Sequence, residues 1–277
     1  MRSRFGVFEA LKFAVYLLLA VNVLLFFRIE WSASAVRFAT GLSGSDLVTA
    51  FAASIDTAAW LVLLILFELE TSVFRQERLS RGGGLMLQLL TGGCYALILA
   101  SFWGYASKVH LLMGFEFSPI DPCSLAAGGA SLALALDEYV ALDAARCAAL
   151  AGVPLLELPG LAIYSTEAAA VAQLRLAWLD VINAAAWLGV VAVLAVDVFL
   201  QQRDRLTGRL LAISKLLKAF LYGTLALAAI YWGLRGDFVD VWDAVLWLVA
   251  FVFIELNLFS WNAQPGASGE PSPSVSG

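Results

Sequence analysis

The sequence predicts an all-α, polytopic membrane protein with six transmembrane helices in three hairpin repeats and both termini in the cytoplasm. Three observations predict it. Apolar residues are gathered into six runs near the length that crosses a bilayer. Arginines cluster at alternate ends of those runs. A polar-then-tryptophan signature is written three times.

The 277 residues are 61% hydrophobic and 14% charged. Soluble domains carry about 45–50% apolar and about 25% charged residues, so an ordinary soluble core does not account for this chain. The runs lie at 7–27, 47–69, 85–107, 178–200, 211–234 and 238–260. Each is long enough, as a helix, to cross about 30 Å of hydrocarbon. A lone strand leaves its backbone unsatisfied in lipid, and a closed barrel would show short alternating segments instead of continuous runs.

Hairpin 1 (1–84) pairs the first two runs. Arg2 and Arg4 precede the first run, and Arg75, Arg78 and Arg81 follow the second, which places both ends in the cytoplasm. Arg2, Arg4, the apolar stretch and Ala33-Ser34-Ala35 also resemble a secretory signal. The stretch is long for that role, and its share in the repeat favours a retained helix.

Hairpin 2 (85–208) contains an external insertion, 108–175, which is Ala-rich and read as helical. Within it, 137–150 reads as one helix. Ser165 reads as the N-cap of another, with Glu167 in its first turn. Pro-containing links at 117–123 and 152–160 separate the pieces. Cys123 and Cys147 both lie in this segment, where an oxidising compartment permits a disulfide. Cys94 reads as a small packing residue. Arg203, Arg205 and Arg209 follow the fourth run and again mark a cytoplasmic end.

Hairpin 3 (209–261) opens with an amphipathic turn carrying Arg209, Lys215 and Lys218, whose long side chains reach the headgroups. The tail, 262–277, lacks apolar residues to bury and reads as disordered.

With Trp60, Trp187 and Trp247 set in register, Asp56, Asn183 and Asp243 align four residues earlier. Glu70, Asp197 and Asn257 align ten residues later. Apolar identities mean little in a chain this rich in Ala, Leu and Val; the rarer types at fixed spacing carry the repeat. On a helix, Asp56 and Glu70 fall within about 40° of one face and about 21 Å apart. A carboxylate in the bilayer is costly and faces the bundle interior or a hydrated cavity. Two polar tiers follow: Asp56/Asn183/Asp243 near the outer side and Glu70/Asp197/Asn257 near the cytoplasmic side. In the inner tier, Glu68, Glu70, Asp197 and Glu255 have Lys12, Lys215 and Lys218 as expected partners. Interhelical hydrogen bonds from such groups also hold bundles together without moving a solute.

Absences narrow the chemistry. His110 is the only histidine, so bis-histidine haem ligation and multi-histidine metal sites are excluded. No phosphate loop, dinucleotide fingerprint or nucleophile elbow occurs. No cofactor, metal or nucleic acid is expected, and enzymatic activity has no support. The expected function is a small transporter or channel for a cation, proton or small solute. The alternative is a non-catalytic scaffold or regulatory subunit of a larger complex. The expected partners are the lipid bilayer and a membrane protein bound through 108–175. Thirteen Arg against four Lys with heavy Ala and Leu use point to a GC-rich bacterial gene, hence a bacterial inner membrane.

Overall fold

The computed structural model describes residues 2–262 apart from 40, 42, 45, 73–80 and 204; the side-chain surroundings of 2–5, 7–9, 71–72, 81–82 and 252–262 are likewise outside the description. Arg75, Arg78, the tail from 263 onward and the side chains of Glu255 and Asn257 therefore lie outside the description.

Helix α1 (Arg2–Arg37) is continuous over 36 residues and runs well past the first apolar run. A single turn, α2 (Asp46–Ala50), leads through Phe51 into α3 (Ala52–Ser72). Helix α4 (Arg81–Leu112) follows. Next come β1 (Glu116–Ser118), α5 (Pro122–Ala127), β2 (Ser131–Ala135), β3 (Glu138–Ala141), α6 (Ala144–Ala149), β4 (Leu155–Glu157) and β5 (Ile163–Thr166). Three long helices close the chain: α7 (Glu167–Gln201), α8 (Gly208–Arg235) and α9 (Phe238–Asn262). Among the described residues, five helices are long and apolar enough to cross a membrane: those based on α1, α3, α4, α7 and α8. The sixth long helix, α9, has 25 residues.

The six long helices form a ring in chain order. Each packs on the next, and α9 returns to pack on α1. The second, fourth and sixth of these helices thus alternate with the others around one interior. Its centre is a packed cluster including Leu19 of α1, Leu64 of α3, Trp187 and Val190 of α7, Leu225 of α8, and Trp247 and Ala250 of α9.

The all-α expectation needs correction. The connection between α4 and α7 is not a helical insertion but a five-stranded sheet with two short helices, in strand order β1-β4-β5-β2-β3. Only β2 and β5 run parallel; the other neighbours are antiparallel. The stretch 137–150 divides into strand β3 and the short α6, the latter capped by Asp143, which accepts from the Arg146 N–H. The misreading has a physical source. In "SLALAL" (131–136) a strand alternates between Leu and Ala, both apolar, so the period-2 signal is muted while Ala propensity argues for helix. Pairing and burial against the sheet neighbours override that weak preference.

The disulfide Cys123–Cys147 joins α5 to α6 with Cα atoms 4.9 Å apart. It adjoins a small core of Leu125, Leu132, Leu142 and Leu155. The N-cap of α7 is Thr166, one residue after the expected Ser165; Ser165 is instead buried and donates to the Ala133 carbonyl at 3.1 Å. Helix α7 therefore starts in the sheet layer and runs without interruption into the bundle.

Candidate functional site

The sheet end of the ring encloses a cavity of about 530 Å³. Every long helix contributes to its wall, and the β2–β3 hairpin closes it from the sheet side. Asp56 of α3, Asn183 of α7 and Asp243 of α9 all line it. The three residues aligned in the sequence are thus brought to one cavity.

The tryptophans one turn further along each helix have a consistent place beneath it. Trp187 and Trp247 are buried in the central cluster with ring centroids 6.4 Å apart, and Trp60 packs against the same cluster. Trp187 also lines the cavity, so it is both floor and core. Trp60 is a side-chain hydrogen-bond partner of Asp56, and Trp247 is one of Asp243. The four-residue spacing makes this contact possible, because side chains at i and i+4 lie one above the other on a helix. Asn22 of α1 donates to the Asp243 carboxylate at 2.9 Å, and the Tyr105 hydroxyl of α4 lies 3.5 Å from Asp56.

The second tier is not gathered in the same way. Glu70 is exposed. Asp197 is buried and accepts from Ser214 at 2.6 Å and Lys218 at 2.7 Å, both on α8. Lys12 of α1 pairs with Glu68 of α3 at 2.6 Å. Hydrophobic packing separates these pairs from the cavity.

Several wall residues went unrecognised in the sequence. Eight carboxylates line the cavity against two cationic side chains, Lys108 and Arg235. Asp180 and Asp240 stand three residues before Asn183 and Asp243, in "DVIN" and "DVWD". An i, i+3 spacing puts each on the face already assigned to its partner, so the signal was present. In α3 the corresponding position is Ala53, and Glu30 of α1 supplies the carboxylate instead. Glu30 is almost completely buried and accepts from the backbone N–H groups of Ala53 and Ser54 at 2.8 and 3.0 Å and from the Ser54 hydroxyl at 2.5 Å. It satisfies donors that the start of α3 would otherwise leave orphaned. No local pattern announces a cap delivered from 23 residues away.

Gly104 sits beside this junction. A Cβ there would come within 2.9 Å of the Ala52 Cβ and the Val48 carbonyl, so glycine lets α4 approach the α2–α3 break and positions Tyr105 on the cavity wall.

The hairpin tip holds the third element. Asp137 adopts φ 59°, a left-handed conformation that Asp tolerates better than most residues. Its carboxylate meets Lys108 of α4 at 2.5 Å and Arg37 of α1 at 3.3 Å. Burial pushes the Asp137 carboxyl up, but the charges of Lys108 and Arg37 outweigh it and hold it below its ordinary range. Burial and the neighbouring Asp137 together raise the Tyr139 hydroxyl.

Among the described residues no group of three or more His, Cys, Asp or Glu side chains is arranged to hold a metal ion. Chemically, the cavity offers a dense set of carboxyl groups beside aromatic and amide side chains. Neither family models, nor curated proteins, nor solved structures give a match to this chain.

Proposed function

We propose that this chain is a six-span inner-membrane protein that admits a cation, a proton or a small cationic solute into its acidic cavity as part of transport or channel activity. The observation that carries this reading is the convergence of Asp56, Asn183 and Asp243, from three different helices, on one cavity of about 530 Å³. Helices have no general reason to place several carboxylates side by side in a bilayer, because each costs free energy unless it meets a counter-charge or water. In this reading α9 is the sixth span, the sheet layer is external, and the three helical hairpins descend from one ancestral hairpin. The arginines at the opposite end support that orientation.

Reconstitution into proteoliposomes tests the function. Proton entry read by a trapped pH-sensitive dye and alkali-cation entry read by a rubidium tracer should each be compared with empty vesicles. Replacing Asp56→Asn together with Asp243→Asn should lower whichever flux is present by about tenfold, the scale of about 1.4 kcal/mol in site occupancy. Unchanged flux in the double variant would reject the role of these residues.

A second reading is a scaffold or regulatory subunit that binds a membrane partner through the segment 108–175. The observation in its favour is the packed floor: Trp187, Trp247 and the surrounding aliphatic side chains fill the ring below the cavity. Co-purification of a stoichiometric partner, lost on deletion of the sheet layer, and no flux above empty vesicles would favour it.

A further inference from the structure

We infer that the tip of the β2–β3 hairpin is the gate of the acidic cavity, hinged at a bulge in β2 and held shut by Asp137 between Lys108 and Arg37. The inference rests on the cavity being a solute site and adds how a solute would reach it.

Three independent features converge on this short piece of chain. The first is position. Residues 135–139 form part of the cavity wall on the sheet side, so displacing them opens that wall. The second is the way the tip is held. Leu136 packs into two apolar clusters, one with Leu176, Trp232 and Ala244 of α7, α8 and α9, the other with Val109 and Leu112 of α4 and Ala177 of α7. The adjacent Asp137 meets Lys108 on the same α4 and Arg37 on α1. Between them the two residues touch α1, α4, α7, α8 and α9, as a stopper touches the rim it fills. The third is the hinge. The register of β2 against β3 shifts between Ala133 and Ala135, with Leu134 at the irregularity and largely exposed. A bulge interrupts the ladder and bends the strand, so the segment beyond it is tied less firmly than Ser131–Ala133.

The latch is also incompletely bonded. Arg37 is buried, yet among the described residues its Nε and Nη2 have no hydrogen-bond partner, and neither does Asp137 Oδ1, although Arg37 and Asp137 are within ion-pair distance. Buried donors are normally satisfied, so this contact rests on charge more than on a complete set of hydrogen bonds. Lys108 is within electrostatic reach of Glu30 and Asp180 as well as Asp137. A cation arriving among those carboxylates competes with Lys108 for them and so acts on the same residue that holds the tip.

The test is access. In the full chain with Cys94→Ala, Ala244→Cys places a thiol on the cavity wall under Leu136. Its modification by a membrane-impermeant cationic methanethiosulfonate is followed in time by intact mass. Asp137→Asn keeps a residue that tolerates the left-handed turn and removes the charge; it should speed labelling by about tenfold, the scale of a directly coupled pair. Leu136→Ala, which removes the apolar half of the stopper, should speed it as well. Both comparisons count only with the Cys123–Cys147 bridge intact and an unchanged elution profile. If one variant fails that check, the other decides. Labelling rates equal to the parent's overturn the gate. Flux measured on the same proteins separates the two ideas: faster labelling with no flux in any protein retains the gate and sinks the transport reading.

Discussion

At the sheet end of the bundle, Asp56, Asn183 and Asp243 line one cavity. At the far end, Glu70 is exposed and Asp197 is taken up by Ser214 and Lys218. The two tiers use the same residue types on the same helices, about four turns apart. Their surroundings differ for a physical reason. At the far end, lysines on α1 and α8 pair with Glu68 and Asp197. At the sheet end, carboxylates outnumber cationic groups, and one of the two lysine or arginine side chains on the wall, Lys108, is bound to the hairpin tip. Paired acids tie helices together, whereas the acids around the cavity outnumber the cationic groups that could pair with them.

This contrast can be broken most sharply at the layer between the two ends. Trp187→Ala removes a buried side chain that is both floor and core, and should cost about 3 kcal/mol or more in lost packing, read as a lower unfolding temperature in detergent. A variant as stable as the parent would mean that the floor is not a packed barrier. Next in size is the sheet layer's staple. Cys123→Ala with Cys147→Ala opens a loop whose ends are 24 residues apart, worth about 3 kcal/mol on the loop-entropy model. Hydrogen exchange should rise in β1–β5 and stay unchanged in α8 and α9; a uniform rise would show that the two layers unfold as one.

Gly104→Ala sharpens the cavity side of the comparison. The added methyl meets backbone and a neighbouring Cβ, neither of which can swing aside, so a loss of about 2 kcal/mol is expected. Its fluorescence or crosslinking signature should localise to Tyr105 and the α2–α3 junction. At the far end, Lys218→Met leaves Asp197 with Ser214 alone. Both side chains retain some exposure, so the loss should be about 1 kcal/mol. A double-mutant cycle with Asp197→Asn measures the coupling, and a value near zero would remove the pair from the account.

The most local expected effect is acid release of the hairpin. The Asp137 carboxyl is held below its ordinary range in the folded protein, so its contribution is fully present above about pH 4, the unfolded value. That contribution is lost as pH falls through the lower folded value. Exchange at residues 134–139 should therefore quicken below about pH 4 while the bundle stays protected. No change between neutral and strongly acid pH would place the holding force in Leu136.

Much of the bundle was legible before any coordinates. Runs of about 20 apolar residues can satisfy their backbone in lipid only as helices, and a polar residue inside such a run has few places to point. Asp180 and Asp240 were legible too, by their i, i+3 spacing to Asn183 and Asp243. Other features depend on distant chain. Glu30 belongs to the site because α1 crosses the start of α3. Asp137 belongs because a hairpin 29 residues beyond Lys108 folds back over it. The β2 strand was hidden because Leu and Ala alternate without a polar contrast, and strand pairing is a long-range choice.

Composition and spacing by themselves determined that this chain forms long apolar helices, that it can close one disulfide, and that three even-numbered helices each carry an acid or amide one turn from a tryptophan. Only the tertiary structure decided which acids meet and which are neutralised separately, that a sheet covers one end, and that one aspartate ties that sheet to the bundle. Local sequence sets backbone conformation and the face a side chain occupies, but the charge it meets across a cavity is supplied by residues from other elements.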